Sequence, residues 1–78
     1  MPRFYMNIRH GDELLADDEG QEFSSLDEAR AEAVMSAREL MAEKVASGKK
    51  PANSRFEITD ASGRLVLTMP FWEAIDWN

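Results

Sequence analysis

The stretch from Leu26 to Ala46 decides most of what this chain can become, because a helix of that length leaves little else to build with. Ala, Glu, Arg, Leu, Met and Lys dominate it, all strong helix formers. Ser25-Leu26-Asp27-Glu28 fits the S-x-x-E capping box, in which the Ser25 hydroxyl and the Glu28 carboxylate satisfy orphan amides at a helix start. Gly48 followed by Pro51 supplies the stop. At about 1.5 Å per residue this run makes a rod of roughly 32 Å. The chain has 78 residues, so the segments on either side must form the layer that the rod packs on.

Those segments alternate. Phe4, Met6 and Ile8 alternate with Arg3, Tyr5, Asn7 and Arg9, which predicts a strand over Arg3 to His10 with one face on a core. His10-Gly11-Asp12 makes a tight turn into a short strand through Glu13, Leu14, Leu15 and Ala16. Asp17-Asp18-Glu19-Gly20 is the next turn, and Gln21-Glu22-Phe23 a brief extended return. Beyond the helix, Phe56 and Ile58 alternate with Arg55, Glu57 and Thr59, and Leu65, Leu67 and Met69 with Val66 and Thr68. Asp60-Ala61-Ser62-Gly63 joins these two strands as a hairpin loop that repeats the D-x-x-G chemistry of the earlier turn. Pro70 opens a helical turn with Phe71 and Ile75 on one side. The expected fold is a single α+β domain over residues 1–78, an antiparallel sheet in the order β-β-α-β-β, with a short extra strand before the helix and the helix packed on one face.

Charge is distributed unevenly. The formal net charge is −6, yet the segment from Asp12 to Glu28 holds eight acidic residues and no basic one, while the rest carries nine basic against seven acidic. From Lys44 to Arg55 the chain is purely basic, with Lys44, Lys49, Lys50 and Arg55. Four basic residues around one loop are too few to neutralise a run of phosphates, so nucleic acid is not an expected partner. No stretch approaches 18 apolar residues, which argues against a membrane span. Met1 to Gly11 lacks the apolar core of a signal peptide, so the expected location is cytoplasmic.

On a helical wheel, Leu26, Ala29, Ala33, Ala37 and Leu40 line one stripe with Met41 on its flank, and three alanines in the middle let a helix lie close to a sheet. Glu28, Glu32, Glu39 and Glu43 form a solvated stripe. Val34, Met35 and Val45 fit neither. Strands of six or seven residues span only about 20 to 23 Å, so the helix should overhang its sheet and carry spare apolar side chains. The expectation is a homodimer, with Val34, Met35, Met41, Val45 and Trp72 as candidate interface residues. Trp72 also has a packing role, closing the end of the hydrophobic layer.

Chemistry-bearing patterns are sparse. Without cysteine, disulfides, thiolate zinc sites, Fe–S clusters and thiol nucleophiles are excluded together. His10 is the sole histidine, and an acid–base pair would have to use it with Asp12 or Glu13. Asp17-Asp18-Glu19-Gly20 offers oxygen ligands but not the alternating spacing of a calcium loop. No catalytic residue, metal site or cofactor is therefore expected. The competing reading is a ligand-binding protein or enzyme whose site forms between subunits around His10, Asp12 and Tyr5.

Met1-Pro2-Arg3-Phe4-Tyr5, the Gly11-Asp12 turn, Asp17 with Glu19-Gly20, Leu26-Asp27-Glu28-Ala29-Arg30-Ala31-Glu32-Ala33, and Phe56-Glu57-Ile58 with Asp60, Gly63 and Pro70-Phe71 resemble, in this order, a group of short uncharacterised bacterial proteins classed as a domain of unknown function. The likeness covers nearly the whole chain except its Trp-containing last residues. It implies a small standalone domain and assigns no functional residue. A looser likeness is to HicB-type antitoxins, with a strand, a D-x-x-G hairpin and an E-A-rich helix in similar order. That likeness implies an acidic partner for a small basic toxin, and the chain departs from it in lacking a Pro-Gly-Cys turn before the helix.

Overall fold

The computed structural model describes residues 1–50 and 53–75; Pro51, read above as part of the helix stop, lies outside the described residues, as do the last three residues of the Trp-containing tail. The elements are β1 (Arg3–His10), β2 (Glu13–Leu15), β3 (Gln21–Glu22), α1 (Leu26–Ala46), β4 (Ser54–Asp60), β5 (Leu65–Pro70) and a 3-10 turn (Phe71–Ala74). All strand pairs are antiparallel, in the order β2-β1-β4-β5 with β3 also on β1, and α1 covers one face. This is the α+β class expected. No helix among the described residues is long and apolar enough to cross a membrane.

The short extended segment expected before the helix is present. Gln21–Glu22 pairs with the N-terminal half of β1, Arg3↔Glu22 and Phe4↔Gln21, while β2 pairs with the C-terminal half, Ile8↔Leu15 through His10↔Glu13. Together β2 and β3 form one edge strand broken in the middle. Asp17 bridges the break: its carboxylate accepts from Met6 N–H (Oδ2, 3.1 Å), Glu19 N–H and Gly20 N–H (Oδ1, 3.3 and 3.1 Å), and its own N–H donates to Asn7 Oδ1 (2.9 Å). A side chain thus stands in for the missing backbone ladder and keeps β1 satisfied along its outer edge. Gly20 ends the detour with φ +69°, and a Cβ there would lie 2.8 Å from Tyr5 Cε2 and 3.0 Å from the Phe4 carbonyl oxygen.

Helix α1 starts and stops where local chemistry directs. Ser25 Oγ accepts from Glu28 N–H (3.2 Å), but Glu28 Oε2 reaches Ser24 N–H (3.1 Å), one residue earlier than the standard capping box. A side-chain bond from Ser24 chiefly, with this backbone bond adding, holds the Glu28 carboxyl below the usual carboxylate range. At the other end Gly48 N–H donates to Val45 O (3.0 Å) and Lys49 N–H to Lys44 O (2.9 Å). With Gly48 at φ +80° this is a Schellman cap, and it folds Lys49 back toward Lys44.

The core lies between α1 and the sheet: Phe4, Phe23, Phe56, Ile58, Met69, Phe71 and Ala74 against Ala29, Ala33, Ala37 and Met41. Two tilted ring pairs, Phe4–Phe23 at 6.3 Å and Phe56–Phe71 at 5.0 Å, pack in the same core as the buried alanine stripe. The contact line is therefore 29, 33, 37, 41. Leu40, expected on that line, is 37% exposed, and Met41, expected on its flank, is 4% exposed. A line of fourth residues winds round the helix, as when two elements cross at an angle. Beyond Met41 every residue of α1 is exposed, so its last turn and more project past the core.

Candidate functional site

The projection leaves a concavity on each side of the C-terminal half of α1. On the sheet side the helix does not reach the corner formed by β1 and β2, and a groove of about 460 Å³ opens there. Ile8, His10 and Leu15 form its sheet wall, Leu40, Glu43, Lys44, Ser47 and Lys49 its helical wall, and Met41, Ser54 and Phe71 complete the lining. Leu15 is 68% exposed although its neighbour in register, Ile8, packs on the core. On the other side a shallower, almost wholly apolar hollow of about 430 Å³ is bounded by Arg38, Met41, Ala42, Val45, Ala46 and Ile75. Arg38 Nε donates to Ala74 O (2.6 Å) and ties the helix to the 3-10 turn at this point.

In the first groove the β1–β4 register sets His10 opposite Ser54, and His10 Nδ1 shares a hydrogen bond with Ser54 Oγ at 3.0 Å. Ser54 is 6% exposed and His10 exposed. A histidine–serine pair is the seed of nucleophilic catalysis, but such a site also needs a group that orients the ring. Among the described residues no carboxylate is hydrogen-bonded to His10, and no group of three or more His, Asp or Glu is placed to hold a metal ion. Tyr5, by strand alternation, stands on the opposite face of β1 from His10. A site uniting His10, Asp12 and Tyr5 is therefore not assembled within one chain.

The opposite, uncovered face of the sheet is polar and internally matched. Arg9 donates Nε to Glu57 Oε2 (3.2 Å) and Nη2 to Oε1 (3.4 Å), and Arg55 Nε donates to the same Oε2 (3.1 Å). The Arg9 hydrogen bond chiefly, with Arg55 adding, holds the Glu57 carboxyl below its ordinary range against the opposing effect of partial desolvation. Asn7 Nδ2 bridges to Glu57 O (2.9 Å) and Thr59 Oγ1 (3.3 Å). These arginines are engaged with carboxylate, not presented as a free basic surface.

Of the side chains expected at an interface, Met41 belongs to the core, and Val34 and Trp72 are half-buried against it. The wheel assigned Met41 to the flank because it assumes a straight contact line. Met35 and Val45 are exposed, on different parts of α1. Two open apolar side chains, Leu15 and Leu40, line the first groove, one on its sheet wall and one on its helical wall. Leu15 escaped the sequence reading because a three-residue strand offers no period long enough to assign its face.

The family model of a domain of unknown function, DUF6894, matches residues 3–72. No curated protein matches the chain, and no solved structure does.

Proposed function

The chain belongs to this family of unknown function, and from that premise we propose that it acts as a non-catalytic protein-interaction domain that pairs with a second copy of itself. The observation that carries the reading is the projecting end of α1: from Ala42 to Ala46 every residue is exposed, Val45 61% so, with a concavity on either side. A small domain hides only about 60% of its extended-chain surface and gains by covering apolar area that its own sheet does not reach. A standard interface takes about 800 Å² per partner, a modest share of the 5421 Å² exposed by one copy. Light scattering at tens of micromolar chain should give twice the mass of the 8.9 kDa chain; a monomer there refutes the reading.

A second reading, a binding site for a small ligand, has one observation in its favour. The first groove falls within the volume range of small-molecule sites, about 300–1,000 Å³, and holds the His10–Ser54 pair. A ligand there should shift the amide resonances of Ile8, Leu15 and Ser54 saturably in a fragment screen, and a screen with no such shifts removes this reading.

A further inference from the structure

The first groove has lysines on its helical wall and an acidic turn beside its sheet wall. Its helical wall ends in Lys44 and Lys49, drawn together by the Schellman cap, with Glu43 as its one acid. Its sheet wall is flanked by the β1–β2 turn, where Asp12 and Glu13 are exposed and Glu13 is the register partner of His10. Between the walls stand two leucines that a lone chain leaves open, Leu15 on the sheet side and Leu40 on the helix side.

A groove that is acidic on one side and basic on the other is complementary to itself under one operation. A two-fold axis running along the groove turns a second copy over and sets its acidic side above the basic side of the first. The same operation places leucine over leucine at the centre. An axis across the groove would instead stack acid on acid.

We propose that two copies of the chain close this groove over one another about a two-fold axis lying along it. Leu15 of each enters the groove of the other, and Asp12 and Glu13 of each face Lys44 and Lys49 of the other. This rests on the self-association proposed above and names its surface. Leu15 supplies the apolar knob, the groove of about 460 Å³ exceeds the volume of a leucine side chain, and the desolvated centre carries the affinity while the charged rim sets the register.

The experiment is a charge-reversal exchange, read by light scattering with circular dichroism to check folding. All four rim residues are exposed, so their replacement leaves the core untouched. Asp12→Lys with Glu13→Lys makes both walls basic, and Lys44→Glu with Lys49→Glu makes both acidic. Each double variant alone should lose self-association by about a hundredfold or more, since like charges then meet at both symmetric contacts. An equimolar mixture of the two should restore the dimer mass. Leu15→Asp should be monomeric, and Leu65→Glu, on the far edge of the sheet, should remain dimeric. If the wild-type chain is a dimer and the double variants stay dimeric, or their mixture stays monomeric, the groove pairing is wrong while self-association stands. A dimer lost through Leu65→Glu moves the interface to β5 and likewise overturns it. A monomeric wild-type chain removes both.

Discussion

Replacing Gly20 with alanine tests the account of the broken edge strand, because two separable effects add at this position. The first is conformational: φ is +69°, and an L-residue in the left-handed region costs about 1–2 kcal/mol, partly offset by about 0.4–1 kcal/mol from a less flexible unfolded chain. The second is steric. The new Cβ would lie 2.8 and 2.9 Å from Tyr5 Cε2 and Cδ2 and 3.0 Å from Phe4 O, well inside the roughly 3.5–4.0 Å at which carbon atoms attract. The ring can swing away; the Phe4 carbonyl is held in the sheet. Overpacking of this sort costs about 1–3 kcal/mol, so Gly20→Ala should destabilise by about 2–4 kcal/mol. Gly11 and Gly63 also have positive φ, +60° and +85°, but an added Cβ there meets nothing within 4 Å. Their alanine variants isolate the conformational part and should each cost about 1 kcal/mol or less.

For a domain of this length a stability of about 4–12 kcal/mol is usual, and each kcal/mol moves Tm by about 4–8 °C. Gly20→Ala should therefore lower Tm by at least about 8 °C in thermal circular dichroism, with the urea midpoint reduced at unchanged slope. Removing the ring as well, in Tyr5→Ala/Gly20→Ala, should recover the part of the clash that Tyr5 supplies, a coupling of about 1 kcal/mol. If Gly20→Ala falls within about 0.5 kcal/mol of Gly63→Ala, or Tyr5 shows no coupling, the close packing of ring on glycine is not present.

Asp17→Ala removes the acceptor for the N–H groups of Met6, Glu19 and Gly20 and should cost about 1–3 kcal/mol, with faster amide exchange at Met6 than at its β1 neighbours; protection unchanged at Met6 contradicts the bridging role. Ala33→Leu adds bulk to the fully buried alanine stripe of α1 and should cost about 1–3 kcal/mol or more, and an equally stable variant would mean that the stripe is not tightly packed. Acid should weaken the fold in a defined window. Glu28, Glu57 and Asp60 all have carboxyls depressed below their ordinary values of 4.5, 4.5 and 3.8, so their contribution is complete above those values and is lost as pH falls through the lower folded ones. Glu57→Gln should flatten the fall in urea midpoint below about pH 4.5 and leave pH 6–7 slopes alike; a variant with the wild-type acid slope refutes the Arg9–Glu57–Arg55 account.

What could be read from the residues divides along the range of the forces involved. Helix α1 was legible to the residue because its start and stop depend on neighbours within four positions, Ser25 on Glu28 and Gly48 on Val45. Strand β1 was legible because its apolar residues recur with a period of two, Phe4 in the core with Met6 and Ile8 packed against it. The direction of β3 was not, since Gln21 and Glu22 carry no apolar pattern and are placed by Asp17, a residue that reads as an ordinary turn former. His10 and Ser54 are 44 positions apart and meet only because β1 and β4 are neighbours in the sheet. The groove around them inherits that long range. Met41 displaced Leu40 from the core for a related reason: which of two adjacent helical residues points inward depends on the crossing angle, which the partner sheet sets.

Helix length and sheet length together account for where an interaction surface can be. A helix of 21 residues is about 32 Å long, whereas β1, at eight residues, spans about 26 Å. Obliquity uses up part of the helix, and its contact line leaves the sheet at Met41. The excess falls entirely at the C-terminal end, because the N-terminal end is fixed by the Ser25 cap and by Phe23, whose N–H donates to Pro2 O (3.0 Å) and whose ring packs on Phe4. Here the basic helix end and the acidic turn flank a groove lined by two open leucines, and under the proposed pairing a second molecule turned upon the first would cover both leucines and set unlike charges together.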